Sequence, residues 1–92
     1  MKVRLSSCGN PDFRQDPHKP LPGVRRQTVA VKDIAEASRV CLQYILENQL
    51  GGGNWDGGQV IDAAGAIIAQ VSYNGRVWPP GDWTPEMKPL PE

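Results

Sequence analysis

The chain has few cysteine and histidine residues, which many catalytic centres and metal sites use. Its 92 residues include two cysteines, one histidine and one phenylalanine. No apolar run approaches the ~18 residues of a membrane span, and the N-terminus lacks the apolar core of a signal peptide. Ten lysines and arginines balance ten aspartates and glutamates. We therefore expect a cytoplasmic protein that contacts no membrane and does not coat nucleic acid, since such coating needs excess positive charge.

The scarce cysteine and histidine residues do not form a recognisable reactive motif. Cys8 and Cys41 are too few for a disulfide framework and too far apart for a local metal motif, which favours two free thiols over a bridge. His18 stands alone in a proline-rich segment, and no motif supports its pairing with Cys8 as base and nucleophile. The sequence thus predicts a protein that is not an enzyme, with no catalytic residue, cofactor or metal ligand.

The N-terminal third predicts two strands separated by a long loop. Apolar and polar residues alternate over 2–7, and β-branched residues concentrate towards the end of 25–31, as is typical of strands. Between them, the segment 8–23 contains four prolines and few apolar residues. Because proline lacks an amide donor and favours extended neighbours, we expect an irregular loop there.

One helix is predicted over 33–50. Asp33 and Glu36 have the spacing of a capping box, and no glycine or proline follows until Gly51. One glycine of the cluster at 51–58 is predicted to form the left-handed C-cap. The apolar positions define a stripe for packing on a sheet, with its centre at Ile34, Ala37, Cys41 and Ile45.

The remaining residues up to 78 predict a three-stranded meander. Its strands cover 59–62, 66–73 and 76–78, and the dipeptide Asn74-Gly75 predicts a type I′ hairpin turn. The fold class is therefore α+β: one α-helix packed on an antiparallel β-sheet, in chain order β-β-α-β-β-β. We expect one domain over residues 1–78.

The segment 79–92 is predicted to be a proline-rich, extended tail. Five prolines fall within it, and such composition favours extended backbone over packed structure. Trp83 is the expected anchor of this tail on the domain.

Charge is distributed unevenly along the chain. Residues 1–39 carry eight basic and four acidic residues, whereas residues 40–92 carry two and six. The two halves either attract each other within the fold or offer docking surfaces to a partner. If the first two strands pair, Arg4, Arg25 and Arg26 form a positive patch without acidic neighbours from the C-terminal half.

Apolar and aromatic residues outside the helical stripe are further candidates for partner contacts. Leu42, Leu46 and Leu50 form a shoulder beside the stripe, which predicts a partner or dimer surface unless the loop 8–23 covers it through Phe13 and Leu21. In the last hairpin, Tyr73 and Trp78 are expected to stack across the turn, either as part of the core or as an exposed aromatic patch for a partner. The partner-binding residues predicted overall are Arg4, Arg25, Arg26, Leu42, Leu46, Leu50, Tyr73, Arg76 and Trp78.

Two segments of the chain carry a family resemblance. Residues 53–60, GNWDGGQV, and residues 71–78, VSYNGRVW, resemble small uncharacterised proteins encoded by phages and mobile elements, and the match covers roughly 30–78. In size and layout the chain is also similar to some anti-CRISPR proteins, which bind a host interference complex and block it without chemistry of their own. No functional residue of that group is carried over by motif.

This resemblance implies a non-enzymatic binding protein in the bacterial host cell. Its expected partner is a host protein or ribonucleoprotein complex such as CRISPR–Cas, which it would inhibit by occluding a surface. The alternative is a small nucleic-acid-binding protein that uses its basic N-terminal face. A homodimer is compatible with either function.

Overall fold

The computed structural model describes residues 1–81 and 84–90, so the predicted anchor Trp83 lies outside the described residues. Within them, one α-helix and five strands confirm the predicted α+β fold, and every element is shorter than predicted. The elements are β1 (Lys2–Leu5), β2 (Gln27–Ala30), α1 (Ile34–Glu47), β3 (Gln59–Ile61), β4 (Ile67–Val71) and β5 (Val77–Trp78).

The five strands form one antiparallel sheet in the spatial order β2-β1-β3-β4-β5. The N-terminal strand β1 therefore lies between β2 and β3, and the helix connects these two neighbours of β1. Val3 is the centre of this arrangement, since it is aligned with Val29 on one side and Val60 on the other. Val60 is in turn aligned with Ala69 of β4, so this row of small apolar residues faces the helix.

The core lies between this inner face of the sheet and one side of α1. Val3, Val60 and Ala69 are fully buried, as are Ala37 and Cys41 of the helix. The outer face of β1 carries Lys2 and Arg4, which are exposed. Alternation along the strand thus places apolar residues inside and charged residues outside, as the sequence predicted.

The start of the helix follows the predicted capping pattern. Oδ1 of Asp33 accepts a hydrogen bond from the backbone N–H of Glu36 at 2.8 Å. The carboxylate of Glu36 accepts from the N–H of Lys32 at 3.0 Å, one residue earlier than in a standard capping box. These two bonds satisfy exposed amides at the N-terminus and fix the first turn of α1.

The end of the helix differs from the prediction, because no glycine forms the C-cap. Gln49 adopts the left-handed conformation with φ 54°, and Gly51 is extended with φ −85°. The N–H of Leu50 donates to the carbonyl of Ile45 at 3.0 Å, which is the closing bond of a Schellman motif. Ending the helix here turns Leu50 into the core, where it is 4% exposed.

The substitution Gln49→Gly should stabilise the protein by about 0.5–1 kcal/mol, because glycine adopts positive φ without the steric penalty of a Cβ atom. Urea unfolding should show a higher midpoint with an unchanged slope. The matched control is Gln43→Gly at an exposed position inside α1, which should lower stability by about the same amount. A loss of stability in both variants would contradict the capping role of residue 49.

The two hairpins of the meander share one turn geometry, which is not the predicted type I′. In the second hairpin, Gly75 N–H donates to Ser72 O and Ser72 N–H donates to Arg76 O, both at 2.9 Å. Gly75 has φ +86°, but Asn74 is not in the left-handed region. This is the three-residue loop with a glycine bulge. Asn74 favours it because its Oδ1 accepts from the N–H of Arg76 at 3.1 Å.

The segment 8–23 is a largely irregular loop, as predicted. Residues that are distant in sequence hold it in place. It contains one short 3₁₀ turn, Pro11–Phe13. Nδ2 of Asn54 donates to the carbonyl of Cys8 at 3.1 Å and to Oε1 of Gln15 at 3.2 Å. The glycine-rich segment after the helix therefore serves to bring Asn54 against the loop.

Candidate contact surfaces

An apolar groove lies beside the C-terminal half of the helix. It encloses about 440 Å³, and all but one of its lining residues are aliphatic or aromatic. Leu46 is 78% exposed, Tyr73 43% and Leu42 42%. We use the name apolar groove for the space lined by Leu42, Ile45, Leu46, Gln49, Leu50 and Tyr73.

The groove forms because a glycine in the last hairpin allows close approach to the helix. A Cβ atom at Gly75 would lie 2.8 Å from Cδ1 of Leu42, so the hairpin turn touches the helix at this point. The ring of Tyr73 lies 3.7 Å from the Cβ position of Gly52. Ser38 adds a buried hydrogen bond of 2.7 Å to the carbonyl of Gly75. The hairpin is thereby fixed against α1, and Tyr73 becomes the wall opposite the leucines.

The structure brings four of the predicted partner-binding residues into this groove. Leu42, Leu46 and Tyr73 are exposed, whereas Leu50 is buried and forms part of the floor. The predicted leucine shoulder is therefore exposed at two of its three positions. The alternative of a covering loop is wrong, since Phe13 is itself 74% exposed and does not line the groove.

The last hairpin does not contain the predicted stack of Tyr73 on Trp78. Nε1 of Trp78 donates to Oγ of Ser72 at 3.3 Å, while Tyr73 contacts the helix side. Within residues 1–81 and 84–90, the aromatic pair is Tyr44 with Trp55, whose ring centroids are 6.0 Å apart. Trp55 is partly buried and packs against the core. Arg76 and Trp78 do not line the apolar groove.

The pairing of β1 with β2 brings some of the predicted basic residues together. Arg4 is aligned with Thr28 in the β1–β2 pair, and Arg26 lines the same small pocket as both of them. Arg25 precedes β2, and its carbonyl accepts a hydrogen bond of 2.7 Å from the hydroxyl of Tyr44. We use the name basic face for Lys2, Arg4 and Arg26.

The expectation that this face has no acidic neighbour from the C-terminal half is wrong. The N–H of Asp56 donates to the carbonyl of Ser6 at 3.2 Å, and Asp56 is exposed. The isolated bridge between Ser7 and Trp55 brings this acidic residue to the end of β1. An acidic residue of the C-terminal half therefore lies beside Ser6, at the end of β1.

Both thiols are free, as predicted. Burial raises the pKa of Cys41 to about 12, so this thiol stays protonated at neutral pH and packs as a small apolar group. Burial, and secondarily the charge of Asp56, raise the pKa of the Cys8 thiol. No group of three or more potential metal ligands occurs among the residues that the structure describes.

The fold and these surfaces define a small α+β protein with two separate candidate contact surfaces. In the described part of the chain, no helix is long and apolar enough to span a membrane. Comparisons with family models, with curated proteins and with solved structures give no match to this chain.

Some residues of these surfaces were not identified from the sequence. Gln49 and Ile45 complete the apolar groove, and Ser6 and Thr28 line the pocket on the basic face. The alternation over 2–7 predicts Ser6 on the same side as Arg4, but its neighbours on β2 depend on the strand register, which the sequence does not define. Ile45 was assigned to the core stripe. Its additional role in lining the apolar groove depends on the position of the last hairpin, which the sequence does not define.

Proposed function

We propose that this chain is a non-enzymatic binding protein that occludes the surface of a partner protein through its apolar groove. The observation that carries the proposal is the exposure of Leu42, Leu46 and Tyr73 around one concavity. Large apolar side chains that are grouped around a concave surface are typical of protein interfaces, whereas single exposed ones are common on any protein.

The chemistry of the groove defines the kind of partner. None of the six lining residues is charged, so the groove offers no ionic contact to a phosphate or a carboxylate. It fits an aliphatic or aromatic side chain that projects from a partner protein. Tyr73 adds a hydroxyl group that can donate a hydrogen bond at the rim.

In its specific form, the partner is a bacterial interference complex of the CRISPR–Cas type, and binding inhibits that complex. The sequence resemblance to phage-encoded proteins supports this target, and the apolar groove supports a mechanism by occlusion. No residue of the chain has to perform chemistry in such a mechanism. Purified interference complexes are therefore the first partners to test.

The substitution Leu46→Asp should weaken binding to such a complex by at least about tenfold, because a charge replaces an exposed apolar side chain in the wall of the groove. Association can be measured by interferometry with the immobilised complex. The matched control is Gln43→Asp, which adds the same charge at an exposed helical position outside the groove and should bind as the wild type does. Equal binding by both variants would reject the groove as the contact surface.

The same variant distinguishes self-association of this chain from binding to a different protein. If the partner is a second copy of this chain, sedimentation of the wild type will show a dimer that Leu46→Asp converts to a monomer. This result would replace the proposed target with a homodimer interface.

The second candidate function is binding of nucleic acid through the basic face. It is favoured by the grouping of Arg4 and Arg26 at one pocket and by the lack of any acidic residue over 17–32. Such binding would weaken steeply with salt, because counterions are released from the phosphates. A protein partner held in the apolar groove would show little salt dependence.

A further inference from the structure

A small pocket lies on the basic face, between the ends of β1 and β2. Its volume is about 150 Å³ and its lining includes Arg4, Ser6, Arg26 and Thr28. The register aligns Arg4 with Thr28 and Leu5 with Gln27. Continuing that register by one residue places Arg26 opposite Ser6, so two arginines and two hydroxyl-bearing residues line one pocket.

Ser6 is the second, independent sign of a ligand at this pocket. Its side chain is buried, with 1% of the residue exposed. Its Oγ has no hydrogen-bond partner among the described residues. Buried polar atoms in folded proteins nearly always have a partner, so an unpaired hydroxyl of a residue that lines a pocket points to a ligand as its partner. The neighbouring Ser7 is equally buried, but its Oγ accepts from the N–H of Leu21 at 3.0 Å.

We propose that this pocket binds a phosphate group, held by the guanidinium groups of Arg4 and Arg26 and by the hydroxyl groups of Ser6 and Thr28. Guanidinium groups pair with phosphate oxygens in a bidentate geometry, and each hydroxyl can donate to another oxygen.

The volume of the pocket is sufficient for a single phosphate group. Its 150 Å³ are about five times the ~30 Å³ that one water molecule occupies in the liquid. A tetrahedral anion fits this volume, and a complete nucleotide would have to extend outside it. The phosphate therefore belongs either to a free small molecule or to the backbone of a nucleic acid.

The pocket itself is tested with inorganic phosphate, which does not depend on either proposed function. Amide chemical shifts should change for residues around Ser6 and Arg26 during a titration at low salt. The variants Ser6→Ala and Arg26→Gln should each weaken phosphate binding by at least about tenfold, since each removes a hydrogen bond to a charged group. Arg39→Gln, which removes an exposed arginine from the helix, should bind as the wild type does.

The two adjacent serines provide a matched pair for this test. Ser7→Ala should lower stability, because the N–H of Leu21 loses its acceptor, and should leave phosphate affinity unchanged. Ser6→Ala should lower phosphate affinity and leave stability unchanged or raised. The absence of any shift in the millimolar range, retained affinity in Ser6→Ala, or an equal loss in Arg39→Gln would overturn the proposal.

A single-stranded oligonucleotide then distinguishes the sources of the phosphate, and only this step rests on the second candidate function. If the phosphate comes from a nucleic acid, the oligonucleotide will bind more tightly than inorganic phosphate, and both affinities will fall in Ser6→Ala. If the oligonucleotide binds no more tightly, the pocket is a site for a small phosphorylated molecule. The latter result rejects the nucleic-acid function and supports the pocket.

Discussion

The variant Ile45→Asp is expected to unfold the domain or to leave it marginally stable. Ile45 lies at the centre of the helical stripe and is 7% exposed, and none of the other residues of the apolar groove could pair with its charge. An uncompensated buried charge costs about 3–5 kcal/mol. A protein of this length has roughly 5–14 kcal/mol of stability in total. Thermal unfolding followed by circular dichroism should show a large fall in Tm.

The matched control for this variant is Leu46→Asp, one position further along the same helix. Leu46 is 78% exposed, so its replacement buries no charge and should change stability by less than about 1 kcal/mol. The same control reports on binding, because Leu46 is a wall of the apolar groove. A folded protein with Tm unchanged in Ile45→Asp would contradict the position of the core.

The fold was largely predictable because its determinants are local in sequence. Val3 and Leu5 alternate with charged residues, and this period of two suffices to identify β1 and its buried side. Asp33 and Glu36 lie within one turn of each other, so the start of the helix can be recognised from spacing alone. Such features need no knowledge of which elements pack together.

The end of the helix was not predictable from local preference. Gly51 is the residue that propensity favours for the left-handed cap, but Gln49 takes this conformation instead. The difference arises because Leu50 is turned into the core and donates to Ile45. The gain from burying Leu50 is a tertiary contribution that outweighs the preference for glycine.

The residue types of the candidate surfaces could be predicted from the sequence. Which of these residues lie next to one another could not. Leu42 and Leu46 were identified on the helix and Tyr73 on the hairpin, but the contact of Gly75 with Leu42 decides that they share one groove. Arg4 and Arg26 were assigned to one face correctly. The role of Ser6 depends on strand register and burial, which the alternation of the sequence does not contain.

The same limit applies to the loop 8–23. Its prolines identified it as irregular, but its conformation is fixed by Asn54, which is 46 positions from Cys8 in the chain. Gly53 allows this contact, because a Cβ atom there would overlap the side chain of Asn10. The sequence predicted that the glycine cluster follows the end of the helix, but it did not predict that Asn54 within this cluster holds a distant loop.

Gly58 is a glycine whose backbone joins two strands of the sheet. Its N–H donates to the carbonyl of Arg4 at 2.7 Å, and its carbonyl accepts from the N–H of Val71 at 2.8 Å. It therefore connects β1 with β4 just before β3 begins. The carbonyl of Val71 also accepts from Nε1 of Trp55 at 3.0 Å, so three segments of backbone meet at this position.

Replacing Gly58 by alanine should destabilise the protein by at least about 3 kcal/mol, through backbone strain and a steric clash together. The backbone there has φ +100°, and a Cβ atom would overlap the carbonyl oxygen of Val71. Gly65→Ala is the matched control, since Gly65 has φ +86° with nothing within 4 Å of its Cβ position. Strain alone should then cost about 1 kcal/mol. Urea unfolding measures the free energy of unfolding of both variants. Equal losses of stability would show that the clash with Val71 does not contribute.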